Sequence, residues 1–331
     1  MATYRALTVD WEGSSLKPDI REYSMADLPN GEVTIKVSYS GVNYKDGLST
    51  IPGAGIVSQY PHVPGIDLAG IVVTSSDPSF QEGDEVLVTG YGLGASHPGG
   101  FSEYARVPAA WVVPMPSGLT AKAAMAIGTA GFTAALSVHR MEENGLNPGQ
   151  GPVLVSGATG GVGSWAVSML AKSGYEVTAS TRKSPEIEYL KKLGARETIS
   201  PSELEAPEGK SLNRERWAGA VDPVGGPFLT HILNSVRYGG SVALSGFTGG
   251  ADLASTVYPF IVRGVNLLGI DSVLCQMEVR RTVWNRIAAE WKPDEEMLNA
   301  IVQEISIADL PAAIATVLQG RMRGRSIVKL S

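Results

Sequence analysis

Cysteine is almost missing from this sequence: Cys275 is the single example among 331 residues. One thiol forms no internal disulfide and makes no cysteine-based zinc site. No neighbouring feature marks it as reactive. Histidine is scarce too. His62, His97, His139 and His231 show no ligand spacing of the H-x-x-x-H kind, so each reads as structural or surface and no metal is expected. Positive charge is short, with 27 Lys and Arg against 33 Asp and Glu, a net charge of −6. That argues against a nucleic-acid binder, which normally shows a basic stripe. Long apolar runs are lacking as well. Residues 123–138 come nearest, but Thr129, Gly131 and Thr133 interrupt them, and they fall short of the roughly 18 residues of a membrane span. They read as a buried helix and turn. The opening MATYRALTVDWEG lacks the basic segment and apolar run of a signal peptide. With a lone thiol, a cytoplasmic protein with no membrane partner is the expectation.

What is present is a globular composition, 44% hydrophobic and 18% charged. At roughly 100–200 residues per domain, the length suggests two domains. The first third alternates in short stretches, YRALTVDW, EVTIKVSYSGVN, GIVVTS and DEVLVTG, cut by the turns PNG, SSDPS and QEGD. This predicts a small β barrel or sandwich. From about residue 120 the pattern becomes strand, helix, strand. GPVLVSG, YEVTAST, WAGAVDPV, GGSVALSG and VNLLGID read as strands, and FLTHILNSV as a helix. SPEIEYLKKLGA reads as another helix, with Ser184 placed to cap it and Gly194 to end it. Alternation of this kind means a doubly wound parallel sheet. The closing SIVKL is a further strand, expected to return to the first domain.

GATGGVGS, residues 157–164, sits between a predicted strand and a helix on which Val162, Trp165, Ala166, Met169 and Leu170 share a face. That context turns a glycine cluster into a dinucleotide fingerprint. Its core is Thr159, Gly160, Gly161, Val162 and Gly163, with Ala158 in the first place of the pattern. Gly160 and Gly161 let the backbone approach a pyrophosphate, and Gly163 lets helix and strand close together. The helix N-terminus offers free N–H groups to the phosphates. About twenty residues on, an NAD site carries an acid for the ribose hydroxyls. Here Thr181, Arg182 and Lys183 stand there without a carboxylate. A hydroxyl and two cations suit a 2′-phosphate, which favours NADP(H). Gly246 and Phe247 follow one predicted strand, and Asp271 and Ser272 end the next. Carboxyl ends of strands bind ligands in such sheets, so these become nicotinamide neighbours.

The stretches VNYKDGL (42–48), HVPGIDLAG (62–70), VLVTGYGLG (86–94), GTAGFTA (128–134), GATGGVGSWAV (157–167), WAGAVDPVGG (217–226), GVNLLGIDSV (264–273) and GRSIVK (324–329) together carry a resemblance. They resemble the zinc-free medium-chain dehydrogenase/reductase superfamily, in its quinone-oxidoreductase-like group that includes NADPH-dependent acrylyl-CoA reductases. The resemblance implies an α/β fold: a GroES-like β-rich substrate domain (1–124 and 296–331) plus a Rossmann doubly wound parallel-sheet nucleotide-binding domain (125–295). It implies hydride transfer from NADPH to an activated carbon–carbon double bond, and a homodimer joined through edge strands of the nucleotide domain. Without zinc to polarise an alcohol, conjugate reduction is the suited chemistry, with the substrate carbonyl accepting charge and a protein donor stabilising the enolate.

By the same resemblance Tyr44 lies near the nicotinamide, as cofactor contact and catalytic phenol. Asn43 and Asp46 flank it as further catalytic candidates, Asp46 either orienting Tyr44 or Lys45 or capping the next turn. Thr129 and Arg325 resemble family residues near the cofactor. Arg321 and Arg323 form either a patch for a phosphate-rich acyl-CoA or a solvated surface. Pro223 stands where the family pattern has Thr, and its missing N–H removes one backbone donor. The expected substrate is a small enoyl-CoA, enone or quinone. Acrylyl-CoA leads, a quinone reductase is the alternative, and a non-catalytic NADP-binding sensor or structural protein is the reading of another class.

Overall fold

The computed structural model describes residues 3–204 and 212–331. The chain divides into two compact units, Met1–Thr129 with Val273–Ser331, and Ala130–Ser272.

The first unit opens with an antiparallel hairpin of β1 (Thr3–Glu12) and β2 (Ser15–Ser24). Then follow β3 (Val33–Gly41), the short helix α1 (Tyr44–Leu48), β4 (Asp67–Ser75), β5 (Glu85–Thr89), β6 (Tyr104–Val107) and β7 (Val113–Pro114). The expected strands of the first third are all present; β2 was not anticipated, because its exposed face carries Lys17, Asp19 and Arg21 on a single-sided hairpin. The helix α2 (Ala121–Glu143) is interrupted at Gly128, whose φ of 53° and ψ of −159° no helix accommodates. It has the length and hydropathy of a membrane span, yet 83% of its apolar window is buried in the protein.

The second unit contains β8 (Val153–Val155), α3 (Gly161–Lys172), β9 (Val177–Ser180), α4 (Ile187–Lys192), β10 (Glu197–Ile199), β11 (Trp217–Asp222), α5 (Pro227–Ser235), β12 (Val236–Leu244), α6 (Tyr258–Arg263) and β13 (Asn266–Gly269). The six strands form one sheet in the order β10-β9-β8-β11-β12-β13, every pairing parallel. The first strand of the unit is central, the next two lie to one side and the last three to the other. This is the doubly wound order, and the order of strands reverses between β8 and β11. Strands buried on both faces need apolar residues throughout, which VLV in β8 and WAGAVD in β11 supply apart from the terminal Asp222. The helix α3 is buried from Gly163 to Leu170 and not on one face only. Ser184 does not cap α4: it lies within a 3-10 turn that precedes the helix. Gly194 does end it, at φ 103°.

The chain then adds α7 (Met277–Ala289), α8 (Glu295–Ile301), β14 (Val302–Ile305), α9 (Leu310–Leu318) and β15 (Arg325–Lys329) to the first unit. Its main sheet runs β14-β15-β3-β4-β5-β7, with β6 also on β3. Leu7, Ile35, Leu68, Val88, Phe101, Leu310 and Val328 are among its core.

Both unit boundaries differ from the sequence expectation. The first falls after Thr129 and not at 124, because the Thr129 amide is bound to Asp67 of the first unit. The second falls after Ser272 and not near 295. Helix α7 belongs to the first unit because its buried Arg280 donates to the Thr89 carbonyl (2.8 Å) and hydroxyl (3.0 Å) and lies 4.6 Å over the Tyr91 ring.

Candidate active site and nucleotide cradle

In the second unit the glycine turn follows β8. Gly157 adopts φ 54°, and the Ala158 amide donates to the Ser180 carbonyl at the end of β9 (3.1 Å). At Gly163 there is no room for a side chain: a Cβ there would meet the Gly157 carbonyl and, at 2.6 Å, the Ala158 Cα. Gly160 is different. A Cβ on it would touch only the Gly157 carbonyl oxygen, at 3.4 Å. No side chain caps α3, so its first-turn N–H groups keep no partner within the helix. One glycine therefore closes the turn on the sheet, while the other keeps the helix end open to an approaching anion.

At the end of β9, Thr181 and Lys183 are half-buried and Arg182 is exposed. The Lys183 amide donates to the Thr181 hydroxyl (3.0 Å), which leaves the Thr181 O–H proton for another acceptor. Burial, assisted by Arg182, pulls the Lys183 pKa down, against the pull of Glu186. An anion beside this pair would reverse that shift.

The reversal between β8 and β11 is spanned by a side-chain bond that sequence reading missed. The Ser156 hydroxyl donates to the fully buried Asp222 carboxylate, which also accepts the Val224 (3.0 Å) and Gly225 (3.1 Å) amides. Burial raises the Asp222 pKa despite these donors. Pro223 sits inside the turn they define. The carboxylate takes the amides of Val224 and Gly225, so the missing Pro223 N–H leaves this turn intact. The Pro223 carbonyl packs directly against Gly246. Phe247 is 71% exposed and Asp271 exposed, whereas Ser272 is buried and accepts the Thr133 hydroxyl (2.9 Å). Beside Gly246, the Ser245 Oγ is buried without a hydrogen-bond partner among the described residues. An orphaned hydroxyl at a strand's carboxyl end and an open helix N-terminus, with no acid at residues 181–183 after β9, together fit a dinucleotide.

In the first unit, β3 delivers the chain to α1. Tyr44 is the first residue of the helix and is 42% exposed. Its neighbours point inward. The Asp46 Oδ2 accepts the Asn43 amide (2.7 Å) and its Oδ1 accepts the Gly65 (3.1 Å) and Ile66 (2.9 Å) amides. The Asn43 side chain donates to the Gly41 carbonyl (3.1 Å) and to Asp67 Oδ2 (2.8 Å), and accepts from Arg325 (2.7 Å). Arg325 also donates to the Val42 carbonyl (2.9 Å), the Ala126 carbonyl (3.4 Å) and Asp67 (3.2 Å). The Thr129 amide and hydroxyl both donate to Asp67. Asp46 and Asp67 are wholly buried and Arg325 is 2% exposed. Burial, and then Asp67, push the Asp46 pKa up to about 7; burial pulls that of Arg325 down.

Four sequence assignments change accordingly. Arg325 is not placed to reach a cofactor, because its guanidinium is buried and spent on one carboxylate, one amide oxygen and two carbonyls. Asn43 and Asp46 are not exposed to a reacting atom; both face backbone and buried partners. The Thr129 side chain is likewise committed to Asp67. Tyr44 keeps its open face. Asp67 is the residue that sequence reading passed over. Its signal was a lone acid in the apolar run HVPGIDLAGIVV, since a carboxylate within a buried strand requires partners.

Among the described residues no three His, Cys, Asp or Glu side chains gather to hold a metal. The alcohol dehydrogenase GroES-like domain matches residues 29–117, and the zinc-binding dehydrogenase domain matches residues 161–289. YhfP of Bacillus subtilis (strain 168), which bears a quinone oxidoreductase name, is 54% identical over 327 residues, 99% of each chain. Its crystal structure with NAD bound aligns at a TM-score of 0.97, with 53% identity and 100% of both chains covered. The acrylyl-CoA reductase AcuI of Ruegeria pomeroyi is 48% identical over 330 residues, 99% of each chain. The YhdH oxidoreductase of Salmonella enterica in complex with NADP aligns at a TM-score of 0.95, with 41% identity, over 99% of this chain and 100% of that one.

Proposed function

This chain belongs to the medium-chain dehydrogenase/reductase family of oxidoreductases, and from that premise we propose that it reduces the carbon–carbon double bond of acrylyl-CoA with NADPH, without zinc. The observation that carries the cofactor choice is the end of β9, where Thr181, Arg182 and Lys183 stand with no carboxylate among them. Bound NADPH supplies the hydride. Thr181 and the two cations would hold its 2′-phosphate, the open turn at Gly160 and Gly161 would admit the pyrophosphate, and the orphaned Ser245 hydroxyl would bond to the cofactor at the end of β12. The Tyr44 phenol would donate a hydrogen bond to the substrate carbonyl oxygen, where negative charge gathers as hydride reaches the β-carbon, and a solvent proton added at the α-carbon would complete the reduction. The near full-length likeness to AcuI supports the acyl-CoA substrate. The likeness to YhfP favours a second reading, reduction of small quinones by the same residues.

The test is NADPH consumption with acrylyl-CoA, beside NADH and a simple quinone. Turnover with NADPH and acrylyl-CoA alone supports the first reading, and turnover with the quinone alone replaces it with the second. NADPH binding without turnover on any of these leaves a nucleotide-binding protein of another class.

We further propose a homodimer through β13. This strand ends the six-stranded sheet, with its outer edge unpaired among the described residues. Nearby, Val257, Tyr258, Ile261 and Val262 are 64%, 51%, 77% and 54% exposed. A second copy pairing β13 across a twofold axis covers both an open edge and an apolar surface. Light scattering on the purified chain decides it: a monomeric mass overturns the dimer.

A further inference from the structure

The charged cluster of the first unit is costly. Two carboxylates and a guanidinium are out of water, and a buried ion pair is seldom better for stability than apolar residues of the same size. What the cluster supplies is geometry. Asp67 receives bonds from three separate segments: Asn43 next to Tyr44, Thr129 beyond the break in α2, and Arg325 at the start of β15. Asn43 is gripped from both ends, its amide nitrogen by Asp67 and its amide oxygen by Arg325. The chain has cleared space for this. A Cβ on Gly41 would fall 2.9 Å from Asp67 Oδ2, and one on Gly128 would fall 2.5 Å from the Arg325 guanidinium. On the other side of Tyr44, Asp46 ties α1 to the 65–66 backbone.

We propose that Asp67 is a positioning residue for Tyr44, fixing the start of α1 through the Asn43 side chain. The inference rests on the reading of Tyr44 given above. Asp67 touches no reacting atom; it sets where the phenol stands, and misplacing a catalytic group by an ångström costs about 100-fold in rate.

A double-mutant cycle tests it, with Asp67→Asn, Tyr44→Phe and the pair, assayed at saturating NADPH with acrylyl-CoA or, if that is what the wild type turns over, the quinone. Asp67→Asn is expected to lower kcat by about 10- to 100-fold with KM moving far less, and to add nothing to kcat in the Tyr44→Phe background. A merely structural role lowers the melting temperature in both backgrounds and leaves the kcat effects multiplicative, which overturns the proposal. If Asp67→Asn does not fold, Asn43→Ala, which leaves the Asp67–Arg325 pair, is held to the same criterion. Tyr44→Phe with full activity removes the proposal and the phenol's role together, while the reductase assignment stands. Should the wild type turn over neither substrate, amide hydrogen exchange across residues 43–48 still decides. Asp67→Asn must speed it about tenfold or more, and unchanged exchange overturns the positioning role.

Discussion

The glycine turn of the second unit and the cluster around Asp67 in the first hold their surroundings by opposite means. The turn carries no charge from Gly157 to Ser164 and relies on backbone: an amide on the Ser180 carbonyl, a positive φ at Gly157, and a Gly163 pressed onto the backbone of Gly157 and Ala158. The cluster relies on side chains, with Asp46, Asp67 and Arg325 all buried. A backbone site is cheap to desolvate and tolerant of distant change, but it fails when a methyl group is added. A buried charge site tolerates no loss of a partner, because what remains is an unpaired ion.

The difference is broken most forcefully at Arg325. Arg325→Ala leaves Asp67 buried beside Asp46 with no cation, and urea unfolding should show a loss of about 3–5 kcal/mol. The next effect is one of pH. Asp46 has an ordinary pKa of 3.8, raised to about 7 in the fold. At acid pH both folded and unfolded chains hold the proton, and its contribution is fully present. As pH rises between those two values the unfolded chain ionises first, so stability falls, and above the upper value the slope vanishes. Thermal melts from pH 4 to 8 should show that decline, and Asp46→Asn should flatten it; an unchanged profile in the variant would assign the decline to other groups.

On the backbone side, Gly163→Val should destabilise by about 1–3 kcal/mol through overpacking and abolish NADPH binding in a fluorescence titration. Gly160→Ala sharpens the contrast. Its φ of −81° suits alanine and its Cβ has space, so stability should move by less than about 0.5 kcal/mol while NADPH affinity falls. Equal melting losses for both variants would refute the division of labour between the two glycines. The smallest effect is at Arg182. Losing one charge-assisted bond, Arg182→Ala should raise the NADPH dissociation constant about tenfold and leave that for NADH unchanged.

The second unit was the more legible of the two. Five of its six β strands announced themselves in runs of apolar and β-branched letters, while β10, only three residues long and beginning with Glu197, did not; the fingerprint needs only eight neighbours and their flanks. The acid missing after β9 was visible for the same reason. The Ser245 hydroxyl was not, since nothing local distinguishes an orphaned serine from a solvated one. In the first unit the strands were readable and the chemistry was not. Arg325 looked like a cofactor ligand, Asn43 and Asp46 like catalytic groups, and Asp67 like an incidental acid.

Sequence by itself determined most of the elements, the doubly wound nucleotide-binding unit and the glycine turn at the start of α3, because hydrophobic period and glycine conformation are local properties of the chain. Only the tertiary structure decided which polar side chains are spent and which remain open. Arg325 meets Asp67 across 258 residues of sequence and Asn43 across 282, and no local pattern encodes partners that distant. Their burial, and with it their charge chemistry, exists only once β3, β4 and β15 lie side by side.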